Sequence, residues 1–119
     1  MAYDEFLADR VRQVLNEKKT SFEEKKMMGG LCFMVDNKMC IGVDINKKTG
    51  ASRVMARIGE DGYQQALQRN GCSEFNITGR AMKGFVFVSS DGIDIQEDLE
   101  YWIQLCLDFN PLAKSSKKK

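Results

Sequence analysis

No histidine occurs among the 119 residues of the chain, so neither a Cys–His nor a Ser–His catalytic pair can be assembled within it. Zinc chemistry is disfavoured on related grounds. The four cysteines, Cys32, Cys40, Cys72 and Cys106, lie 8, 32 and 34 positions apart, which matches no recurrent ligand spacing, and a mixed site would need the missing imidazole. They are expected to be reduced thiols inside the fold, with no metal and no cofactor. No apolar run approaches the roughly 18 residues of a membrane span, and the N-terminal MAYDEFLADR lacks the basic-then-apolar layout of a signal peptide. A soluble, cytoplasmic protein that engages no membrane is expected. Proline is limited to Pro111.

What is present suffices for one core: 43% of the residues are apolar, and this length accommodates one domain rather than two. The net charge of +1 conceals a strong polarity. The tail KSSKKK supplies four lysines, so residues 1–113 carry 14 basic and 17 acidic side chains. Within them, residues 84–113 hold Asp91, Asp94, Glu97, Asp98, Glu100 and Asp108 with no Lys or Arg, a charge of −6, whereas residues 1–83 carry +3. A body that is acidic on balance is a poor general phosphate binder. Nucleic-acid contact is expected only weakly, through Lys114, Lys117, Lys118 and Lys119, which no aromatic residue accompanies for base stacking. Residues 1–113 read as the domain and residues 114–119 as a disordered basic tail.

Periodicity assigns the elements. Asp4 to Lys19 reads as a helix, with Leu7, Val11, Val14 and Leu15 on one stripe. Thr20 to Glu24 reads as a polar connector, after which MMGGLCFMV turns to period two. A three-residue loop, Asp36-Asn37-Lys38, would place Leu31, Phe33 and Val35 on one face with Met39, Ile41 and Val43, leaving Cys32, Met34, Cys40 and Gly42 on the other. Arg53 to Ile58 reads as a third strand, with Arg53, Met55 and Arg57 on one side. A short helix from Glu60 to Arg69 stops at Asn70-Gly71, and two further strands run from Ser73 to Thr78 and from Gly84 to Ser89. The last helix takes Asp94 as its cap and carries Leu99, Trp102, Ile103, Cys106 and Phe109 as its stripe, until Pro111 stops it. The order α-β-β-β-α-β-β-α specifies an α+β fold with a five-stranded antiparallel sheet and packed helices.

Few residues offer chemistry. Asp94, Glu97 and Asp98 sit where a helix start favours negative charge, which explains them without catalysis. Cys32 and Cys40 lie near Arg53 or Arg57, which would suit a reactive thiol, but methionine and cysteine on a sheet face are expected to be polarizable filler. Gly29-Gly30 precedes a strand rather than a helix and lacks a following Gly-Lys-Ser/Thr, so it marks close backbone packing or a bulge, not a phosphate loop. GRAMKG is different: Gly79 and Gly84 bracket Arg80, Met82 and Lys83, so a sharp turn can present two cations and a methionine together. Arg80, Lys83, Met82, Arg53 and Arg57 are the candidate binding residues, and no residue is a candidate catalyst or metal ligand.

The segments KKMMGGLCFMVDNKMC, TGRAMKGFVFV and DLEYWIQLCLDFNPLAKSSKKK closely resemble the N-terminal domain of the TfoX/Sxy proteins, regulators linked to bacterial natural competence. The resemblance runs from Tyr3 to Lys114. Its most specific pieces are Lys26-Met27-Met28-Gly29-Gly30, in which Met28 replaces the usual phenylalanine, and Gly79 to Gly84. It implies a domain of the secretion-chaperone type, often a homodimer, and a stand-alone member without the C-terminal helical domain of the competence regulators. The function it implies is a non-enzymatic interaction or regulatory module with a protein partner. The alternative is a small-anion or metabolite-binding domain using Arg80 and Lys83.

Overall fold

Leu7, Ala8, Val11, Val14 and Leu15 bury one side of the first helix, α1 (Glu5–Glu17), which starts where the Asp4 side chain accepts a hydrogen bond from the Phe6 amide at 2.9 Å. A short acidic side chain there satisfies one of the amides that a helix start leaves unpaired. A computed structural model describes residues 3–27, 30–46, 48–75 and 84–113. The chain continues through β1 (Glu23–Met27), β2 (Gly30–Val35), β3 (Lys38–Ile45), β4 (Ser52–Arg57), α2 (Tyr63–Leu67), β5 (Cys72–Glu74), β6 (Phe85–Ser89) and α3 (Gln96–Phe109). Single 3-10 turns follow β6 at Ser90–Gly92 and α3 at Asn110–Leu112. All strand pairs are antiparallel, in the order β1-β2-β3-β4-β6-β5. The fold is α+β and the expected element order holds, with one strand more.

That strand is β1, in the stretch expected to be a connector. Glu23, Glu24, Lys25 and Lys26 are all exposed and show no apolar alternation. They form a strand because β2 offers its backbone and because Arg12 of α1 grips Glu24 through Nε and Nη2 at 2.6 and 2.9 Å. A charged edge strand also shields the margin of the sheet from unwanted pairing.

The hairpin between β2 and β3 departs from the expected three-residue loop. Val35 pairs with Lys38 across a two-residue turn, in which Asp36 and Asn37 take φ of 55° and 62°. Asp and Asn are the side chains that tolerate this left-handed conformation, and the turn's twist matches that of the strands. The register then slips by one: Met34 faces Met39 but Phe33 faces Ile41, leaving Cys40 as a bulge. Leu31, Phe33, Ile41 and Val43 still share a face, but Met39 moves to the opposite side and Cys40 joins the main core.

The start of α3 is a second departure. Ile95, not Asp94, occupies the cap position, and no side chain caps the helix there. Arg10 of α1 instead reaches across to the carbonyls of Ile93 and Asp94, at 2.8 and 3.4 Å. At the other end, Asn110 donates to the Val35 carbonyl at 3.1 Å and accepts from Lys38 Nζ through its own carbonyl at 3.1 Å, tying α3 to the hairpin turn.

The helices contribute Leu7, Val11, Leu15, Ala66, Leu99, Trp102, Ile103 and Cys106 to one cluster with Leu31, Phe33, Ile41, Val43, Val54, Val86 and Val88 of the sheet. Trp102 and Phe33 are the bulkiest of its fully buried side chains, and each such burial stabilises the fold by about 1.5–3 kcal/mol. The helices thus occupy one side of the sheet, and strand alternation sends every second residue to the other.

Candidate functional site

On that other side the register writes three rows of side chains. Across the first, Asp44 faces Arg53, which faces Ser89. Across the second, Lys25, Cys32, Gly42, Met55, Phe87 and Ser73 follow one another from β1 to β5. The third brings Met34 to Met39 and Arg57 to Phe85. Met55, Phe75 and Phe87 form a buried cluster of their own, with Met39 and Phe85 packed against it. Its chemistry is sulfur and aromatic. The Phe75 and Phe87 rings stand 4.7 Å apart, and Cys32 Sγ lies 3.8 Å from Met34 Sδ. Gly42 makes room in the middle, since a side-chain carbon there would come within 3.2 Å of the Met55 methyl.

The two arginines expected on this face are both there, and each is anchored. Arg53 donates to both carboxylate oxygens of Asp44, from Nε at 2.8 Å and Nη2 at 3.2 Å, while its guanidinium lies 3.6 Å above the Phe87 ring. Charge pairing on one edge and the ring quadrupole under one face hold the group in a single orientation. Arg57 sits at the far end of β4, donating to the Met39 carbonyl at 3.4 Å, with the Phe85 and Phe109 rings 5.3 and 5.9 Å away. Burial lowers its pKa, because a desolvated cation is disfavoured.

Burial tunes Cys32, Cys72 and Cys106 away from reactivity. Burial, with a smaller effect from Cys40, pushes Cys32 from the ordinary 9.0 up to about 12. Burial raises Cys72 to about 11, against the opposing pull of Arg69. Cys106 also rises well above the ordinary value, through burial first and Cys40 second. A thiol nucleophile or a thiolate ligand needs the opposite direction.

Two of the flanking glycines carry clear geometry. A Cβ on Gly30 would lie 2.4 Å from the Val43 carbonyl oxygen, so β2 passes close to β3 only because the side chain is missing. Gly84, at φ +94°, accepts from the Ile58 and Gly59 amides at 2.8 and 3.1 Å, and this positive φ favours glycine. Arg80, Met82, Lys83, Gly29 and Gly79 lie outside the described residues, as do Lys114, Lys117, Lys118 and Lys119. The described flanks of residues 76–83 are Phe75, stacked on Phe87, and Gly84, beside the end of β4. The partners that the pattern did not single out are Asp44, Phe85 and Phe87. A signal existed for the first: a β3–β4 loop closing at Ile45 and Ser52 puts opposite charges across the ladder at 44 and 53.

A model of the TfoX N-terminal domain matches residues 15–110. The chain belongs to that family. In this TfoX N-terminal domain the matched stretch begins within α1, closes on Asn110, and includes all six strands and the whole sulfur-aromatic face. Comparisons with curated proteins and with solved structures gave no match. Among the described residues no helix is long and apolar enough to cross a membrane.

Proposed function

We propose that this TfoX N-terminal domain is a non-enzymatic interaction module of the competence-regulator kind, working in the cytoplasm as an adaptor on a protein partner and pairing with a second copy. The observation that carries the reading is the sulfur-aromatic face with its anchored cations. Met34, Met55, Phe75 and Phe87 are buried and pack the face from within, while the half-buried Arg53, Arg57, Met39 and Phe85 present its surface, and arginines held against aromatic rings are the side chains on which interfaces concentrate their binding energy. Thiols raised to about 11 and 12 stay protonated near neutral pH and supply no nucleophile. Arg80, Met82 and Lys83 belong to the chain segment that leaves this face at Phe75 and returns to it at Gly84, and they supply the contact for an acidic partner, including residues 94–100 of a second copy.

An affinity capture from bacterial lysate with the wild type and with the Arg80→Glu, Lys83→Glu double variant tests this. The expected result is a stoichiometric partner held by the wild type and lost by a double variant whose stability shifts by less than about 1 kcal/mol. The alternative, a small-anion or metabolite site on the same two cations, predicts instead that phosphate or a carboxylate metabolite raises the melting temperature of the isolated wild type. A double variant that cannot fold would make Arg80 a structural counter-ion and end both readings.

A further inference from the structure

Along the first row of this face, where Arg53 meets Ser89, lies an open cleft of about 300 Å³ whose lining includes Arg53, Phe87, Ser73, Ser89, Ser90 and Asp91. This is the size at which clefts begin to accept small molecules. Arg53 arrives there with two of its three nitrogens committed to Asp44 and one face committed to Phe87. Its remaining nitrogen, Nη1, makes no hydrogen bond among the described residues and belongs to a group that cannot swing away. The hydroxyls of Ser73, Ser89 and Ser90 and the carboxylate of Asp91 likewise have no hydrogen-bond partner among the described residues. Asp91 lies two positions beyond Ser89, which is Arg53's partner across the ladder. One fixed cation edge, one free carboxylate and three free hydroxyls therefore line a single concavity.

The charge balance selects among ligands. The charged residues of the lining are Arg53, already paired with Asp44, and Asp91, so a phosphate or other lone anion meets a half-neutralised cation and a repelling carboxylate. A lone cation meets the guanidinium. A ligand carrying both charges a few ångströms apart satisfies both ends: its carboxylate takes the Nη1 donors with serine hydroxyls beside them, and its ammonium takes Asp91. We propose that this cleft binds a small zwitterion of the free α-amino-acid class, with Arg53 holding the α-carboxylate and Asp91 the α-ammonium. The assignment draws on neither Arg80 nor Lys83, and its test does not depend on a protein partner docking on the sheet.

Ligand-detected NMR with the full chain and each of the common L-amino acids as probe tests the assignment, with acetate, methylamine and glucose as controls that carry one charge or none. At least one amino acid should bind, and acetate and methylamine should bind at least about tenfold more weakly, the loss of one charge-assisted contact. Asp91→Asn, an exposed substitution that leaves the Arg53–Asp44 pair untouched, should weaken the amino acid by about tenfold while leaving acetate as tight or tighter, and Ser89→Ala should weaken both. The assignment is overturned if no amino acid binds, if acetate or glucose binds as tightly as the best amino acid, or if Asp91→Asn has no effect on its affinity.

Discussion

Alkaline unfolding of the wild type beside Cys32→Ala measures whether the Cys32 sulfur is a packing group. Folding raises this thiol from 9.0 to about 12, chiefly because the thiolate would be desolvated between β1 and β3. With the folded pKa above the unfolded value, the protonated form is the one that folding favours. Its contribution is complete below about pH 9 and is lost as pH rises toward 12. Over that window the loss accumulates at about 1.4 kcal/mol per pH unit, to roughly 4 kcal/mol. Cys32→Ala removes a buried sulfur that touches Met34, which costs about 1–2 kcal/mol near neutral pH, where both proteins are otherwise alike. The variant has no thiol to ionise, so its disadvantage should shrink above about pH 9 and reverse about one unit higher. Urea denaturation at unit pH steps gives the two curves, and their difference cancels the lysines and tyrosines that titrate in the same range. Parallel curves would show that Cys32 ionises as freely in the folded protein as in the unfolded chain. The sulfur would then be accessible, and the assignment of this face as packed filler would fail.

Three further outcomes are expected. Asn110→Ala should destabilise the fold by about 1–2 kcal/mol through the lost bond to the Val35 carbonyl, and a denaturant midpoint unchanged from wild type would show that α3 does not depend on this tie. Deleting residues 114–119 should leave the unfolding curve as it is and abolish any salt-sensitive retention on a DNA column, whereas sequence-specific binding by the truncated chain would place DNA recognition on the acidic body. Light scattering at micromolar concentration should return the mass of a dimer, and a monomer mass alone would remove the pairing proposed above.

The helices were legible because their signal is local. Leu7, Val11, Val14 and Leu15, and later Leu99, Trp102, Ile103 and Cys106, fall on buried stripes as their spacing requires. Two of the misread details depend on contacts outside the misread segment itself. β1 has no periodicity of its own and exists because β2 and Arg12 hold it. Asp94 has the chemistry of a cap, but Arg10, 84 positions earlier, fastens the Ile93 and Asp94 carbonyls and the helix begins past Ile95. No pattern within either segment contains those contacts.

The hairpin shows how a correct face assignment can rest on a wrong turn. Alternation alone demanded an odd loop, since a two-residue turn with unbroken pairing would set Phe33 against Cys40 and put apolar opposite mixed. The chain meets the same demand differently, with Asp36-Asn37 as the turn and one extra residue, Cys40, absorbed as a bulge. Leu31, Phe33, Ile41 and Val43 reach the core either way. The sulfurs do not: the bulge sends Cys40 inward beside Cys106, whose own ionisation burial suppresses, and turns Met39 outward to Phe85 and Met55. One unpaired residue thus moves Cys40 into the core, while Cys32 stays on the face that carries Arg57, where burial opposes its ionisation. Arg57 bonds the Met39 carbonyl and lies near an aromatic ring, an anchored cation of the kind the proposed contact surface would use.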